Sequence, residues 1–277
     1  MPLKTFAEIV TPTAQDDHSL TFTITEDWLQ GRSSFGGIQA AFALVAMRAL
    51  TGVAAPLRVL QTTFIAPVGG PEVRVTARTL RAGKNVTHVE ARLMQGEDTA
   101  CLVVGVFGAA RASAIAVPMA VREAPQGPEG LRDLPFAKGI APNFTQHFHW
   151  RWAAGGWPYS GTQEPFTRIW LKHRAPTDAS AHGAEIALVG LADAVPSPAL
   201  SMMKTPFASS SLTWTLELLR DAPPQGDDST FGSGHAYWRI DSDIHQSRDG
   251  YVAQTATVVA PDNQPVALSR QSVVVFG

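Results

Sequence analysis

Cysteine is almost missing from this sequence: Cys101 stands alone among 277 residues, so no intramolecular disulfide can form. A reducing compartment suits such a chain, and the expectation is a cytoplasmic protein. Cys101 lies in Ala100-Cys101-Leu102-Val103-Val104, the setting of a buried core thiol rather than of a nucleophile. Excess charge of either sign is also missing. Lys and Arg number 22 against 24 Asp and Glu, a formal net charge of −2, and no basic block exceeds two residues. That balance excludes the electrostatic footprint of a nucleic-acid binder or a ligand of anionic membranes. Long apolar runs are absent too. The nearest, from Thr99 to Val121, is split by Arg111 and interrupted by Pro118, so no membrane span is expected. The opening Met1-Pro2-Leu3-Lys4-Thr5-Phe6 lacks the apolar core of a signal peptide. There is no Gly-x-Ser-x-Gly elbow, so hydrolytic chemistry here would need a nucleophile other than an elbow serine.

What is present is ample core material. With 45% hydrophobic and 17% charged residues the chain can fold without staples, and its low charge points to surface hidden between domains or subunits. A helix is expected from about Ile38 to Leu50, introduced by Gly36-Gly37 and closed by Gly52 as C-cap. Ala40, Phe42, Leu44, Val45, Met47 and Leu50 make it apolar nearly all round, the signature of a helix enclosed on most sides. Strands follow: Val73, Val75 and Ala77 alternate with Glu72, Arg74, Thr76 and Arg78, then Val86–Met94 and Thr99–Gly108 return after turns. An enclosed helix followed by such a meander implies a sheet curled round the helix.

A proline-interrupted stretch with Pro118, Pro125, Pro128 and Pro135 then separates two halves. The second half repeats the order of the first. Strand-like stretches at Phe144–Trp152 and Phe166–His173 precede an apolar helix from about Ala179 to Ala194 and strands near 210–219, 234–243, 250–260 and 264–276. Val104-Gly105-Val106-Phe107-Gly108 resembles Val273-Val274-Val275-Phe276-Gly277, and Gly183 stands where Gly37 stood. The expected division is residues 1–110, a linker at 111–140, and residues 141–277.

The chain resembles the acyl-CoA thioesterase II family, whose members fuse two hot-dog folds. The likeness is carried by Phe35-Gly36-Gly37-Ile38-Gln39-Ala40, by Phe64-Ile65-Ala66-Pro67 and by Thr79-Leu80-Arg81-Ala82-Gly83-Lys84-Asn85, and it runs from about residue 15 to the end. It implies an α+β class of two fused hot-dog domains, each a curved antiparallel sheet around a central helix. It also implies an Asp, a Ser or Thr, and a Gln that together hold the attacking water. By position these are Asp193, Ser211 and Gln271. The segment after Ser211, Trp214-Thr215-Leu216-Glu217-Leu218, departs from the family's aromatic and His-containing pattern.

The residue types suit thioester hydrolysis. A carboxylate accepts a proton from water while an amide and a hydroxyl fix its direction. Pro196 ends the helix near Ala194, which leaves Asp193 in the last turn, where the dipole raises a carboxylate's proton affinity. A plain solvent-exposed Asp beside a loop is the bland alternative. Aligning Gly37 with Gly183 and Phe107 with Phe276 sets Met47 against Asp193 and Leu102 against Gln271. A polar group in one copy only suggests a site. Strand alternation puts Ser211 and Thr213 on one face, so either hydroxyl serves, and a wet polar face accounts for both equally well. Gly36 and Gly37 are candidates to offer backbone N–H groups to the thioester, or they mark close packing of helix on sheet. His147 and His149 alternate on one expected strand but lack a third metal ligand. Phe231-Gly232-Ser233-Gly234 is no dinucleotide loop. Trp150, Trp152, Trp157 and Tyr159 read as packing. No cofactor and no metal are implied. The expected activity is hydrolysis of an acyl-CoA or related thioester. The alternatives are a hot-dog hydratase and a non-catalytic acyl-thioester binder. Exposed sheet edges imply a homodimer or higher homo-oligomer.

Overall fold

The computed structural model describes residues 3–222 and 237–276. A short helix α1 (Phe6–Ile9) opens it, held by a capping box between Thr5 and Glu8. Strands β1 (Ala14–Gln15), β2 (Ser19–Thr23), β3 (Leu29–Gln30) and β4 (Ser33–Ser34) lead into the long helix α2 (Gly36–Thr51). The helix ends at Gly52, whose φ of 65° is the left-handed cap that glycine adopts without strain. Strands β5 (Leu57–Phe64), β6 (Glu72–Ala82), β7 (Thr87–Gln95) and β8 (Asp98–Phe107) complete the first half. After a connection with 3₁₀ helices at Pro128–Gly130 and Asn143–His147, the second half brings β9 (Phe148–Ala154) and β10 (Phe166–His173). Helices α3 (Ala181–Ala192) and α4 (Pro198–Met202) follow, then β11 (Ala208–Leu218), β12 (Trp238–Arg248), β13 (Tyr251–Val259) and β14 (Pro265–Phe276).

All these strands except β3 and β4 form one antiparallel sheet in the order β1-β2-β6-β7-β8-β5-β11-β14-β13-β12-β10-β9. Its two halves share one topology: β2-β6-β7-β8-β5 around α2, and β10-β12-β13-β14-β11 around α3. This is a pair of fused hot-dog folds, joined where β5 pairs with β11 in the register Leu60↔Leu216 and Thr62↔Trp214. The all-round apolar character of α2 follows from its place, because sheet residues such as Val73, Val75, Val89 and Val103 cover one side and α3 another. Gly37 lies against Gly190, whereas Arg48 reaches Glu185, so the two helices run antiparallel. Cys101 is buried in the core, which pushes its thiol pKa up and leaves it unreactive.

Several sequence expectations change. Phe107 is buried while Phe276 is 59% exposed, so the two look-alike terminal segments are out of phase and Leu102 is not the counterpart of Gln271. Residues 143–147 form a 3₁₀ helix, not strand, so His147 and His149 do not alternate on one face. His147 stacks on Trp28 at 4.0 Å and faces Asp27, whereas His149 faces Asp133. Trp150 is buried, Trp152 stacks on Trp157, and Trp157 stays 49% exposed. Phe231-Gly232-Ser233-Gly234 and the start of the strand expected at 234 lie outside the described residues.

Candidate active site

Asp193 occupies the C-cap of α3, with φ −98° and ψ −2°. The Pro196-Ser197-Pro198 stretch follows, and Ser197 caps α4 by accepting the N–H of Ala199 at 3.2 Å. The carboxylate therefore sits where α3 stops, facing the start of α2 across the junction of the two halves. There the Gly37 backbone N–H donates to it. The approach is close: a Cβ on Gly36 would stand 2.6 Å from Asp193 Oδ2, and one on Gly37 would stand 2.7 Å from the Gly190 carbonyl. The paired glycines are what let the two helix ends meet.

Gln271, on the inner face of β14, donates from Nε2 to Asp193 Oδ1 at 2.5 Å. Its Oε1 accepts from Gln254 Nε2 at 2.8 Å, and Gln254 Oε1 in turn accepts from the Ser197 hydroxyl at 2.5 Å. Gln254 lies on β13 directly opposite Gln271. Two helix ends act on Asp193 with opposite sign. Its own C-terminus disfavours negative charge, and the N-terminus of α2 favours it. Burial outweighs both the Gln271 and the Gly37 hydrogen bonds and pushes the Asp193 pKa up to about 7. The residue as a whole is partly buried.

Ser211 is placed by an irregularity. Leu212 is an extra residue in β11, so Ser211 pairs with Val273 and Trp214 with Gln271. The bulge turns Ser211 to the same inner face as Gln271 and Trp214. Ser211 and Thr213 therefore do not share a face, contrary to the alternation of the sequence. Thr213 pairs with Ser272 and Thr63 and is exposed on the outer side, away from Asp193. Of the expected residues the structure thus brings Asp193, Gln271 and the Gly36-Gly37 pair into contact. It leaves Ser211 one two-residue step along the sheet and turns Thr213 away. It also adds Gln254 and Ser197. A signal for Gln254 exists in the sequence, since it interrupts the inner apolar series Val252, Ala256 and Val258.

Comparisons agree with this architecture. The profile of the acyl-CoA thioesterase N-terminal domain matches residues 24–108, and that of the acyl-CoA thioesterase C-terminal domain matches residues 126–275. A conserved hot-dog protein of unknown function from Alicyclobacillus acidocaldarius superposes with a TM-score of 0.84 at 20% identity, covering 98% of each chain. A putative thioesterase II from Thermobifida fusca gives 0.76 at 16% identity, with 100% of this chain and 99% of the other covered. The acyl-CoA thioesterase II TesB2 of Mycobacterium marinum gives 0.74 at 14%, over 97% and 96%. No curated protein sequence matches the chain. At such identities the solved structures establish the fold, and the two domain profiles carry the family. With both domains matched over most of its length, this chain belongs to the acyl-CoA thioesterase family and is a thioester hydrolase.

Proposed function

We propose that the chain hydrolyses an acyl-CoA, or a related acyl thioester, by direct attack of a water held at Asp193. In this reading the Asp193 carboxylate takes a proton from the water as its oxygen bonds to the thioester carbonyl carbon. The carbonyl electrons move onto oxygen, and the tetrahedral adduct then collapses. The C–S bond breaks, the thiolate takes the proton back from Asp193, and the products are free acid and thiol. Gln271 orients the carboxylate, and the Ser211 hydroxyl, turned inward by the bulge, is the group that directs the water. The Gly36 and Gly37 N–H groups at the head of α2 are the candidates to meet the developing oxyanion. The observation that carries the reading is the Gln271–Asp193 hydrogen bond on a carboxyl group whose pKa burial pushes up to about 7.

Release of CoA thiol from acyl-CoAs of graded chain length tests it. Asp193→Ala lowers kcat by about 10²–10⁴ with unfolding little changed, and Gln271→Leu follows it. Wild-type turnover in both variants contradicts it.

We further infer boundaries at residues 1–110, 111–140 and 141–277. Part of the connecting segment is strapped to the second sheet: Arg168 Nη1 donates to the Glu123 carbonyl at 2.8 Å and Arg239 Nη2 to that of Arg122 at 2.9 Å. A homodimer or larger assembly, a cytoplasmic setting and a role in fatty acid metabolism complete the reading. Among the described residues no helix is long and apolar enough to cross a membrane.

A further inference from the structure

The hydrogen bonds behind Asp193 run in one direction, and this has a chemical consequence. A side-chain amide offers an NH₂ end and a C=O end, and nothing in its shape decides which end faces a neighbour. Here the two amides are linked in one series between the Asp193 carboxylate and the Ser197 hydroxyl. The Ser197 oxygen accepts the Ala199 backbone N–H at 3.2 Å, and its hydroxyl donates to Gln254 Oε1 at 2.5 Å. Gln254 presents its NH₂ to Gln271 Oε1, at 2.8 Å. Gln271 is left with its NH₂ toward Asp193 Oδ1, at 2.5 Å. Both ends of the series belong to the turn between α3 and α4, since Asp193 and Ser197 lie four residues apart. Gln254 is buried, and its register partner on β14 is Gln271 itself.

We propose that Gln254, seated by Ser197, is a positioning residue that fixes the Gln271 amide with its donor end on the Asp193 carboxylate. The inference rests on the reading of Asp193 as the base. An inverted Gln271 would set its carbonyl against the carboxylate, two acceptors face to face, and would raise the base's proton affinity further while loosening its aim. The groups facing the Gln271 amide are Asp193 from the end of α3 and Gln254 from β13, and neither is a cation.

Two substitutions separate this role from mere filling of space. Gln254→Leu keeps the volume but removes the direction, and kcat falls roughly tenfold while KM moves less than about twofold, as for one lost oriented hydrogen bond. Gln254→Glu supplies two acceptors, which turn the Gln271 NH₂ away from Asp193. kcat then falls further, and the acid limb of the kcat/KM profile moves to higher pH by about half a unit or more. Ser197→Ala, which leaves the strands untouched, shows a smaller loss of the same kind and serves if a Gln254 variant fails to fold. Wild-type kcat and an unshifted pH profile in these variants, with Asp193→Ala and Gln271→Leu inactive, overturn the proposal and leave the base intact. Full activity in Asp193→Ala removes the base itself, and this inference with it.

Discussion

The antiparallel pair α2–α3 has two ends, and the fold treats them alike while the sequence does not. At one end the last turn of α2 meets the first turns of α3. There Arg48 pairs with Glu185, donates to the Val53 and Ala55 carbonyls at 2.8 and 2.6 Å, and lies 4.7 Å over the Phe107 ring. Glu185 also accepts the Leu57 N–H at 2.9 Å. At the other end the last turn of α3 meets the first of α2, and the acid there, Asp193, has glycines, an amide and, among the described residues, no basic partner. One carboxylate is neutralised by a guanidinium; the other is left to be charged or protonated. A purely structural acid is expected to resemble Glu185. The other, with its pKa raised to about 7, has the properties of a proton acceptor near neutral pH.

The comparison sharpens into variants of decreasing effect. Glu185→Ala strands the Arg48 charge in the interior and costs about 3–5 kcal/mol in denaturant unfolding, while kcat per folded molecule stays near wild type. A stable but inactive Glu185→Ala would erase the distinction between the two ends. The next effect concerns pH and stability. The folded Asp193 pKa lies above its unfolded value, so its contribution is present in full below pH 4 and is lost as pH rises through 7. Asp193→Asn escapes that loss. Relative to wild type it gains about 2 kcal/mol between pH 5 and pH 8, read from unfolding curves at the two pH values. A constant difference would place the carboxylate in a solvated setting. The smallest effect distinguishes the two faces of β11. Ser211→Ala lowers kcat roughly tenfold and Thr213→Ala leaves it within about twofold, since only the first hydroxyl looks inward.

Much of this is legible in the sequence alone. The all-round apolar character of α2, its Gly52 cap and the alternation of Val73 with Val75 are local patterns, and local patterns determine elements. Asp193 and Gln271 could be named from their positions in the resemblance. Their meeting depends on α3 and β14 converging over 78 residues of sequence, which no local pattern encodes. The bulge at Leu212 is hidden in the sequence because Leu212, Trp214, Leu216 and Leu218 alternate straight through it, so the alternation puts Ser211 and Thr213 on one face and the structure does not. Phe107 and Phe276 misled for a related reason, as shared letters carry no register. Gln254 needed the β13–β14 pairing to acquire a partner, and Ser197 needed the turn after α3.

The pH dependence of kcat/KM for an acyl-CoA, measured on the wild type and on Asp193→Asn, reaches the central claim most directly. The wild type should climb with unit slope and level off above an apparent pKa close to 7, while the variant stays at least 100-fold lower and shows no such rise. A wild-type profile flat from pH 5 to 9, or an Asp193→Asn enzyme that keeps the rise, would contradict a carboxylate base at the junction of the two helices.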